Sequence, residues 1–341
     1  MADEPKLETR VRERRQARGW TQDDLARRSG VSRSGIGAIE TGRLVPSAAA
    51  ALALASALEC RVEDIFRLSN PAPAEPEWAW APGRLPARYW LAAVGGKLLR
   101  FPVEPTLAGA IPHEGVFPGG GADRGPRPTC VLACCDPAAG LLAEALAASG
   151  VRLLALPRSS CEALELLRRG LVHAAGVHLA GADEPGGNAE AVRRRLGDGY
   201  RVARVASWEE GILVDPSRKV RTVESALKAR LRWVGREPGS AARECLDALL
   251  PDNRPPRGIA RTHRGVAEAI RSGWADAGIG LRLAAEEAAL DFLAVREEAY
   301  DLVYPGRLAD EVGPLLDAAS SPGYRRWLGD LPGYRPAAVE D

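Results

Sequence analysis

Five prolines stand among the residues Asn70-Pro-Ala-Pro-Ala-Glu-Pro-Glu-Trp-Ala-Trp-Ala-Pro-Gly-Arg-Leu-Pro86, and no apolar periodicity runs through them. Proline fixes φ and lacks a backbone N–H, so this stretch continues neither a helix nor a central strand. It reads as a semi-extended linker over 70–86. A break there divides the 341 residues into at least two folding units, as the length alone suggests. Short helical patterns with basic clusters fill 1–69, and mixed strand and helix patterns follow from 87.

The whole chain carries 46 Lys+Arg against 45 Asp+Glu. A protein that coats polyanions along its entire surface is excluded, and any nucleic-acid site is local. No window approaches 18 uninterrupted apolar residues, and the start Met-Ala-Asp-Glu-Pro-Lys lacks the apolar core of a secretory signal. The six cysteines, Cys60, Cys130, Cys134, Cys135, Cys161 and Cys245, form no C-x-x-C pair. That spacing speaks for a reducing, cytoplasmic setting, against a disulfide framework and against structural zinc.

Within the first unit, Thr21 with Asp24 forms a variant capping box that opens a helix over 22–28 burying Leu25 and Ala26. Gly30 supplies the turn, Ser32 caps a second helix over 33–41, and Gly42 stops it. On that second helix Ile36 and Ile39 share one side, while Ser34, Gly37, Ala38 and Thr41 fall on the other, with Arg33 at the flank. Two short helices joined by a glycine turn, the second with a small, polar outer face, describe a helix-turn-helix. Residues 6–43 hold ten basic and five acidic residues, an excess that would favour phosphate contacts.

The run Arg18-Gly-Trp-Thr-Gln-Asp-Asp-Leu-Ala-Arg-Arg-Ser-Gly-Val-Ser-Arg-Ser-Gly-Ile-Gly-Ala-Ile-Glu-Thr-Gly-Arg43 resembles the Cro/C1-repressor (XRE) type of helix-turn-helix. The resemblance implies five helices, the fourth opened by Pro46-Ser47 and the fifth at Val62–Phe66. It implies double-stranded DNA as partner. Gln22 then falls at the backbone-contacting start of the positioning helix, Ser32, Arg33, Ser34 and Gly37 at the reading face, and Thr41 and Arg43 at phosphate. Arg15 and Glu40 match a pair that is structural in the family.

Beyond the linker, Tyr89–Val94, Gly95-Gly96 and Lys97–Phe101 pattern as a hairpin, followed by irregular chain to about 128. Strands and helices then alternate: 130–134, 137–149, 151–156, 162–169, 174–179, 190–196 and 200–206, the signature of βαβ units with a parallel sheet. Leu167-Arg-Arg-Gly170-Leu-Val-His173-Ala174 is echoed by Ile270-Arg-Ser-Gly273-Trp-Ala-Asp276-Ala277, which suggests two similar α/β lobes. Asp136-Pro137, Ser159-Ser160, Gly239-Ser240 and Thr262-His263 stand at helix starts after strands, where free N–H groups can meet a ligand and where the same residues also serve as caps. His173 and His178 flank a buried strand, where a hydrogen-bonded core histidine is a commoner reading than a ligand.

Cys135-Asp-Pro-Ala138, Glu162–Gly170, His173–Leu179, Glu210-Gly211, Gly239-Ser240 with Arg243, Thr262-His263, Glu298-x-Tyr300 and Leu331–Tyr334 together resemble a periplasmic-binding-protein-like domain. Such domains are fused to helix-turn-helix modules and to molybdenum-cofactor proteins. The implied fold class is multidomain: an all-α five-helix DNA-binding domain over 1–69, a connecting segment over 87–128, and a two-lobed α/β domain of type II over 129–341. Lobe one would take 129–208 and 300–341, lobe two 209–299, with hinge strands near 203–214 and 294–303. The resemblance implies a small ligand, a molybdate-like oxyanion or a related metabolite, held by Asp136, Ser159, Ser160, His178, Gly239, Ser240, Arg243, Thr262, His263 and Tyr300. Asp136 would repel an oxyanion unless turned away or paired with Arg243. Ala241 and Ala242 replace the glycine and threonine of the family pattern, which favours a second reading, a ligand-free oligomerisation platform. No activated nucleophile, acid/base pair or metal-ligand spacing is visible, so neither enzyme activity, cofactor nor metal is expected. A homodimer is expected, because operators of this type come as paired half-sites.

Overall fold

The computed structural model describes residues 6–69, 75–119, 126–184, 186–250 and 256–338, in two units that meet between Glu75 and Pro76. The first holds β1 (Lys6–Thr9), α1 (Val11–Ala17), α2 (Gln22–Ser29), α3 (Arg33–Glu40), α4 (Ala48–Ala57), α5 (Val62–Ile65) and β2 (Phe66–Ser69). The five expected helices are present. Antiparallel pairing of β1 with β2, unsuspected from the sequence, ties the two ends of the unit together. Its core is Val11, Leu25, Ile36, Ile39, Leu54, Leu58 and Ile65, all essentially inaccessible. One apolar stripe per short helix converges there, and that shared burial stabilises helices too short to persist alone.

The second unit begins earlier than expected. Residues 76–80 of the anticipated linker are packed on this unit, whereas 81–86 are mostly exposed; 70–74 lie outside the described residues. β3 (Glu77–Trp78) pairs parallel with β5 (Lys97–Pro102), which pairs antiparallel with β4 (Ala87–Val94), which in turn pairs with β6 (Gly115–Phe117). Trp80 meets Phe101 edge-on at 5.5 Å, and Trp90, Val94 and Phe101 join the core of lobe one. Tryptophan burial outweighed the proline signal here. The connecting segment is therefore a four-stranded sheet docked on lobe one; residues 120–125 lie outside the described residues.

Lobe one continues with β7 (Thr129–Cys134), α6 (Ala139–Ala147), β8 (Arg152–Pro157), α7 (Ser160–Arg168), β9 (Ala174–Val177) and α8 (Gly187–Leu196). The long β10 (Tyr200–Val214) leads into α9 (Val223–Lys228), β11 (Trp233–Arg236), α10 (Ala241–Leu249), β12 (Gly258–Ala260), α11 (His263–Arg271), β13 (Ala277–Leu281) and α12 (Arg282–Glu287) of lobe two. An equally long β14 (Asp291–Pro305) returns to α13 (Ala309–Ser320), α14 (Pro322–Gly329) and β15 (Tyr334–Pro336).

The sheet is mixed rather than parallel. β7, β8 and β9 are parallel, as are β11, β12 and β13, but β10 and β14 run antiparallel to each other and to their other neighbours. The order β12-β11-β13-β10-β14-β9-β7-β8 makes a single sheet that passes through both lobes. The crossings fall at the anticipated hinge segments and are strands longer than the expected ones. Gly211 allows the closest approach: a Cβ there would overlap the Leu293 carbonyl. Both echoed αβ units exist, each helix ending on a glycine of positive φ, Gly170 at 68° and Gly273 at 76°.

Candidate functional site

Two places gather the functional candidates, one in each unit. In the first, the Thr21–Asp24 capping box fixes the start of α2, and Gly30 turns the chain with φ of 70°. Ser32 then accepts the Gly35 N–H and caps α3. Ile36 and Ile39 anchor α3 inward, so Arg33 and Ser34 stand exposed on its outer side. Gln22, Arg33, Ser34, Gly37, Ala38 and Arg43 line one shallow concavity. Thr41 lies beside it, accepting from Arg43 Nε at 3.0 Å and donating to the Gly37 carbonyl at 2.9 Å. Gly37 leaves the floor of the concavity open, with only the Gln22 amide near an added Cβ at 3.8 Å.

Beneath this surface Glu40 accepts from Arg15 Nε at 2.6 Å and from Gln22 Nε2 at 3.0 Å. Burial alone would raise the Glu40 pKa, yet the hydrogen bonds from Arg15 and Gln22 hold it below the usual carboxylate range. The Arg15–Glu40 pair is thus structural, and Gln22 is oriented from below.

The second place lies between the lobes of the second unit. The C-terminal ends of β7 and β9 bring Cys135 and His178 from lobe one; the start of α11 brings His263 from lobe two. Cys135 Sγ lies 2.9 Å from His178 Nε2, and His178 Nδ1 lies 2.6 Å from Glu298 Oε2. The His178 and His263 rings are 5.8 Å apart. The hinge strands supply the remainder: Trp208 Nε1 donates to Glu298 at 3.1 Å, and Arg296 reaches Glu210 at 2.7 Å and Glu298 at 2.5 Å. All but Arg296 are buried.

Electrostatics here is set by burial and by neighbours. Burial opposes charge on His178, but Cys135 and Glu298 on either side of the ring raise its pKa well above the ordinary value. For His263, burial, the Arg236 guanidinium and His178 all act to lower the pKa, which keeps the ring neutral. Burial and the Glu298 charge push Glu210 upward against Arg296, while His178 and Arg296 hold Glu298 low despite its burial. Of the two acids, Glu210 is therefore the one that holds a proton more readily, with Glu298 kept ionised between His178 and Arg296.

The expected ligand residues divide in two. His178, His263 and Tyr300, which stacks on Trp208 at 4.4 Å, enclose the cluster, and Ser160 Oγ accepts the His178 N–H at 3.1 Å. Ser159, Ser240 and Thr262 act as helix caps, accepting from the N–H groups of Glu162, Arg243 and Gly265. Asp136 is turned away: it accepts from Ala138 N at 2.8 Å and Tyr334 Oη at 2.6 Å. Arg243 does not pair with it, being engaged with Asp247 at 2.8 Å along its own helix. The Gly239 carbonyl accepts from Cys161 at 2.8 Å and Arg264 donates to the Pro137 carbonyl at 2.8 Å, contacts that hold the lobes together. Open concavities of this unit lie beside Ala203–Ser207 with the segment 335–338, and along 186–202.

Sequence reasoning missed Cys135 as a partner of His178, and missed Glu210, Arg296 and Glu298 as a cluster. The available signal was acidic residues inside otherwise apolar strands, in Trp208-Glu-Glu-Gly-Ile and Glu297-Glu-Ala-Tyr-Asp. No helix of the described residues is long and apolar enough to cross a membrane.

The PBP superfamily domain matches residues 143–319, and a helix-turn-helix domain matches residues 11–65. The uncharacterized protein YvgK of Bacillus subtilis is 28% identical over 187 residues, 52% of this chain and 61% of YvgK, so the chain spans less than two thirds of that relative's length. An uncharacterized HTH-type transcriptional regulator of Methanothermobacter thermautotrophicus is 46% identical over 65 residues, 19% of this chain and 94% of that protein. Among solved structures, PhnD1 of Prochlorococcus marinus in complex with methylphosphonate matches with a TM-score of 0.44 and 14% identity, over 62% of this chain and 93% of that chain. The chain belongs to the PBP superfamily, with an XRE-type helix-turn-helix domain on the N-terminal side of its PBP-like domain.

Proposed function

We propose that this protein is a one-component transcriptional regulator that binds double-stranded DNA through α3 and answers to a small ligand held between the lobes. The outward face of α3 carries the reading: Arg33 and Ser34 stand exposed around the open floor at Gly37, with Gln22 and Arg43 on the rim, while the opposite side is locked into the core. An arginine bidentate to guanine is the commonest base contact. Ser32 lies at the lip of the same surface, and Thr41 orients Arg43 toward phosphate. A homodimer presenting two such heads would match paired half-sites.

The interlobe ligand is a small molecule received as the lobes close, a hinge motion coupled to DNA affinity through population shift. The residues put forward for it remain Asp136, Ser159, Ser160, His178, Gly239, Ser240, Arg243, Thr262, His263 and Tyr300, of which His178, His263 and Tyr300 meet at the buried cluster. Asp136, Glu210 and Glu298 weigh against a bare molybdate-like dianion. The contacts already joining the lobes, Cys161 to Gly239 and Arg264 to Pro137, favour the second reading, in which the PBP-like domain is a ligand-free oligomerisation platform.

Selection of genomic DNA fragments by the purified full chain, followed by gel shift on the recovered sequence, tests the first part. Arg33→Ala is expected to relax specificity, and an unchanged ratio of cognate to random affinity refutes the assignment of α3. A thermal-shift panel of oxyanions and metabolites tests the second part: a shift by one compound supports a sensor, and none supports the platform.

A further inference from the structure

We propose that Cys135, His178 and His263 form a binding site for a divalent transition-metal ion of borderline softness, with Zn²⁺ its first candidate, that clamps the two lobes together. The proposal deepens the ligand-sensing reading and rests on it for its regulatory meaning.

One ligand atom from each of the three residues, Cys135 Sγ and one ring nitrogen of each histidine, lies within 4.8 Å of the other two. Ligand atoms around tetrahedral zinc stand about 3.5 Å apart, so side-chain adjustments of roughly 1 Å close the site. A thiolate with two imidazoles is a donor set that zinc and its neighbours in the first transition row accept.

His263 is the independent observation. The ring is fully buried, and neither nitrogen has a hydrogen-bond partner among the described residues. A polar group left so in the interior is costly. Coordination answers that cost, since a neutral imidazole offers a lone pair to a metal. His178 is prepared for the same role. Its Nδ1 is fixed by Glu298, which is itself held by Trp208, and this leaves Nε2 directed at Cys135 Sγ. A carboxylate behind a ligating histidine sets its tautomer and orientation.

A second set, His178, Glu210 and Glu298, also brings its donor atoms within 4.8 Å. Arg296 already sits against both carboxylates, so a second cation there would meet a guanidinium. The Arg236 guanidinium near His263 is paired with Glu237 at 3.0 Å, so the geometry points to the thiolate side of His178. Binding displaces the Cys135 thiol proton and any proton on His178 Nε2, which leave to solvent as the metal–sulfur and metal–nitrogen bonds form. Because Cys135 and His178 belong to lobe one and His263 to lobe two, the ion bridges them. Three protein ligands leave a fourth position for water or a small anionic ligand.

The test uses the full chain, freed of metal by chelator and titrated with Zn²⁺ against a competing chromogenic chelator and separately with Co²⁺. One ion per chain is expected, with a thiolate-to-cobalt charge-transfer absorption. That absorption vanishes in Cys135→Ser and persists in Cys60→Ser. Affinity falls at least tenfold in His263→Gln and about 10- to 100-fold in Glu298→Gln, which removes the charged support of His178 without removing a metal ligand. Circular dichroism of each variant establishes that it is folded; should Cys135→Ser not fold, His263→Gln and the wild-type cobalt spectrum decide. Equal metal retention by wild type and by folded Cys135→Ser or His263→Gln overturns the proposal, as does the absence of the charge-transfer absorption. Gel shift with the metal-free protein separates the two readings: DNA binding without a metal site sinks only the ion, and a metal site without DNA binding sinks only the regulator.

Discussion

Arg15 and Glu40 stand 25 residues apart in sequence, yet Arg15 Nε lies 2.6 Å from Glu40 Oε1, with 2% of the Glu40 side chain exposed. Arg15 also donates to the Trp20 carbonyl at 2.6 Å, so one guanidinium joins α1, the turn before α2 and the end of α3. Replacing Glu40 by Ala strands that buried cation, at a cost of roughly 3 kcal/mol. In a domain of this size the loss lowers the melting temperature by about 10 °C or more. Hydrogen-exchange mass spectrometry of the full chain should show residues 11–65 deprotected in Glu40→Ala while 129–338 keep their protection.

Phosphate contacts make a separate prediction. If Arg43 meets the DNA backbone, Arg43→Ala weakens binding to all sequences alike and reduces the slope of log affinity against log salt by about one. Fluorescence anisotropy across a salt series reads this directly; an unchanged slope removes Arg43 from the interface.

Asp276 gives a pH dependence with a definite sign. Arg232 donates to it from its side chain and backbone, and Arg218 donates as well, at 2.6 to 3.2 Å. The Arg232 hydrogen bonds prevail over burial and hold its pKa at about 2, against 3.8 ordinarily. A depressed folded pKa contributes stability that is fully present above the unfolded value and is lost as pH falls through the folded one. Denaturant melts of the full chain should therefore show lobe two weakening between about pH 4 and 2. Asp276→Asn should be less stable at pH 7 by on the order of 2 kcal/mol, with a shallower acid slope.

Two glycine substitutions should act in opposite directions. A methyl at Gly211 overlaps the Leu293 carbonyl on the neighbouring strand, so Gly211→Ala destabilises by roughly 2 to 3 kcal/mol. Gly313 lies inside α13 with open space where its Cβ would stand; Gly313→Ala gains about 0.5 to 1 kcal/mol. Urea midpoints of the two variants decide both.

What the sequence made legible was local. Thr21 with Asp24, Ser32, Gly30 and Gly42 specify helix ends through contacts within a few residues, and all five stand where the pattern placed them. His173 is the core histidine that its apolar flanks suggested, accepting the Val131 N–H at 2.9 Å. The expected parallel sheet failed because alternation of strands and helices says nothing about strand direction at a crossing between lobes. The expected linker failed at Trp78 and Trp80, whose burial depends on strands that follow them. The Cys135, His178 and His263 cluster was invisible for the same reason: three segments separated by 43 residues and more meet only after the sheet closes, and no linear spacing encodes them. Glu210 and Glu298 gave a fainter hint, as charges inside apolar strands.

Tyr200–Val214 and Asp291–Pro305 are members of both lobes at once, laddered to each other along nearly their whole length with register shifts at Arg204/Ala206 and Glu210/Gly211. Between the lobes the chain thus crosses as a paired ribbon rather than as single loops. Any parting of its halves is taken up as torsion in a paired ribbon, with the charged trio Glu210, Arg296 and Glu298 seated at mid-span. Relative movement of the two lobes would therefore have to work against the ladder that joins these two strands.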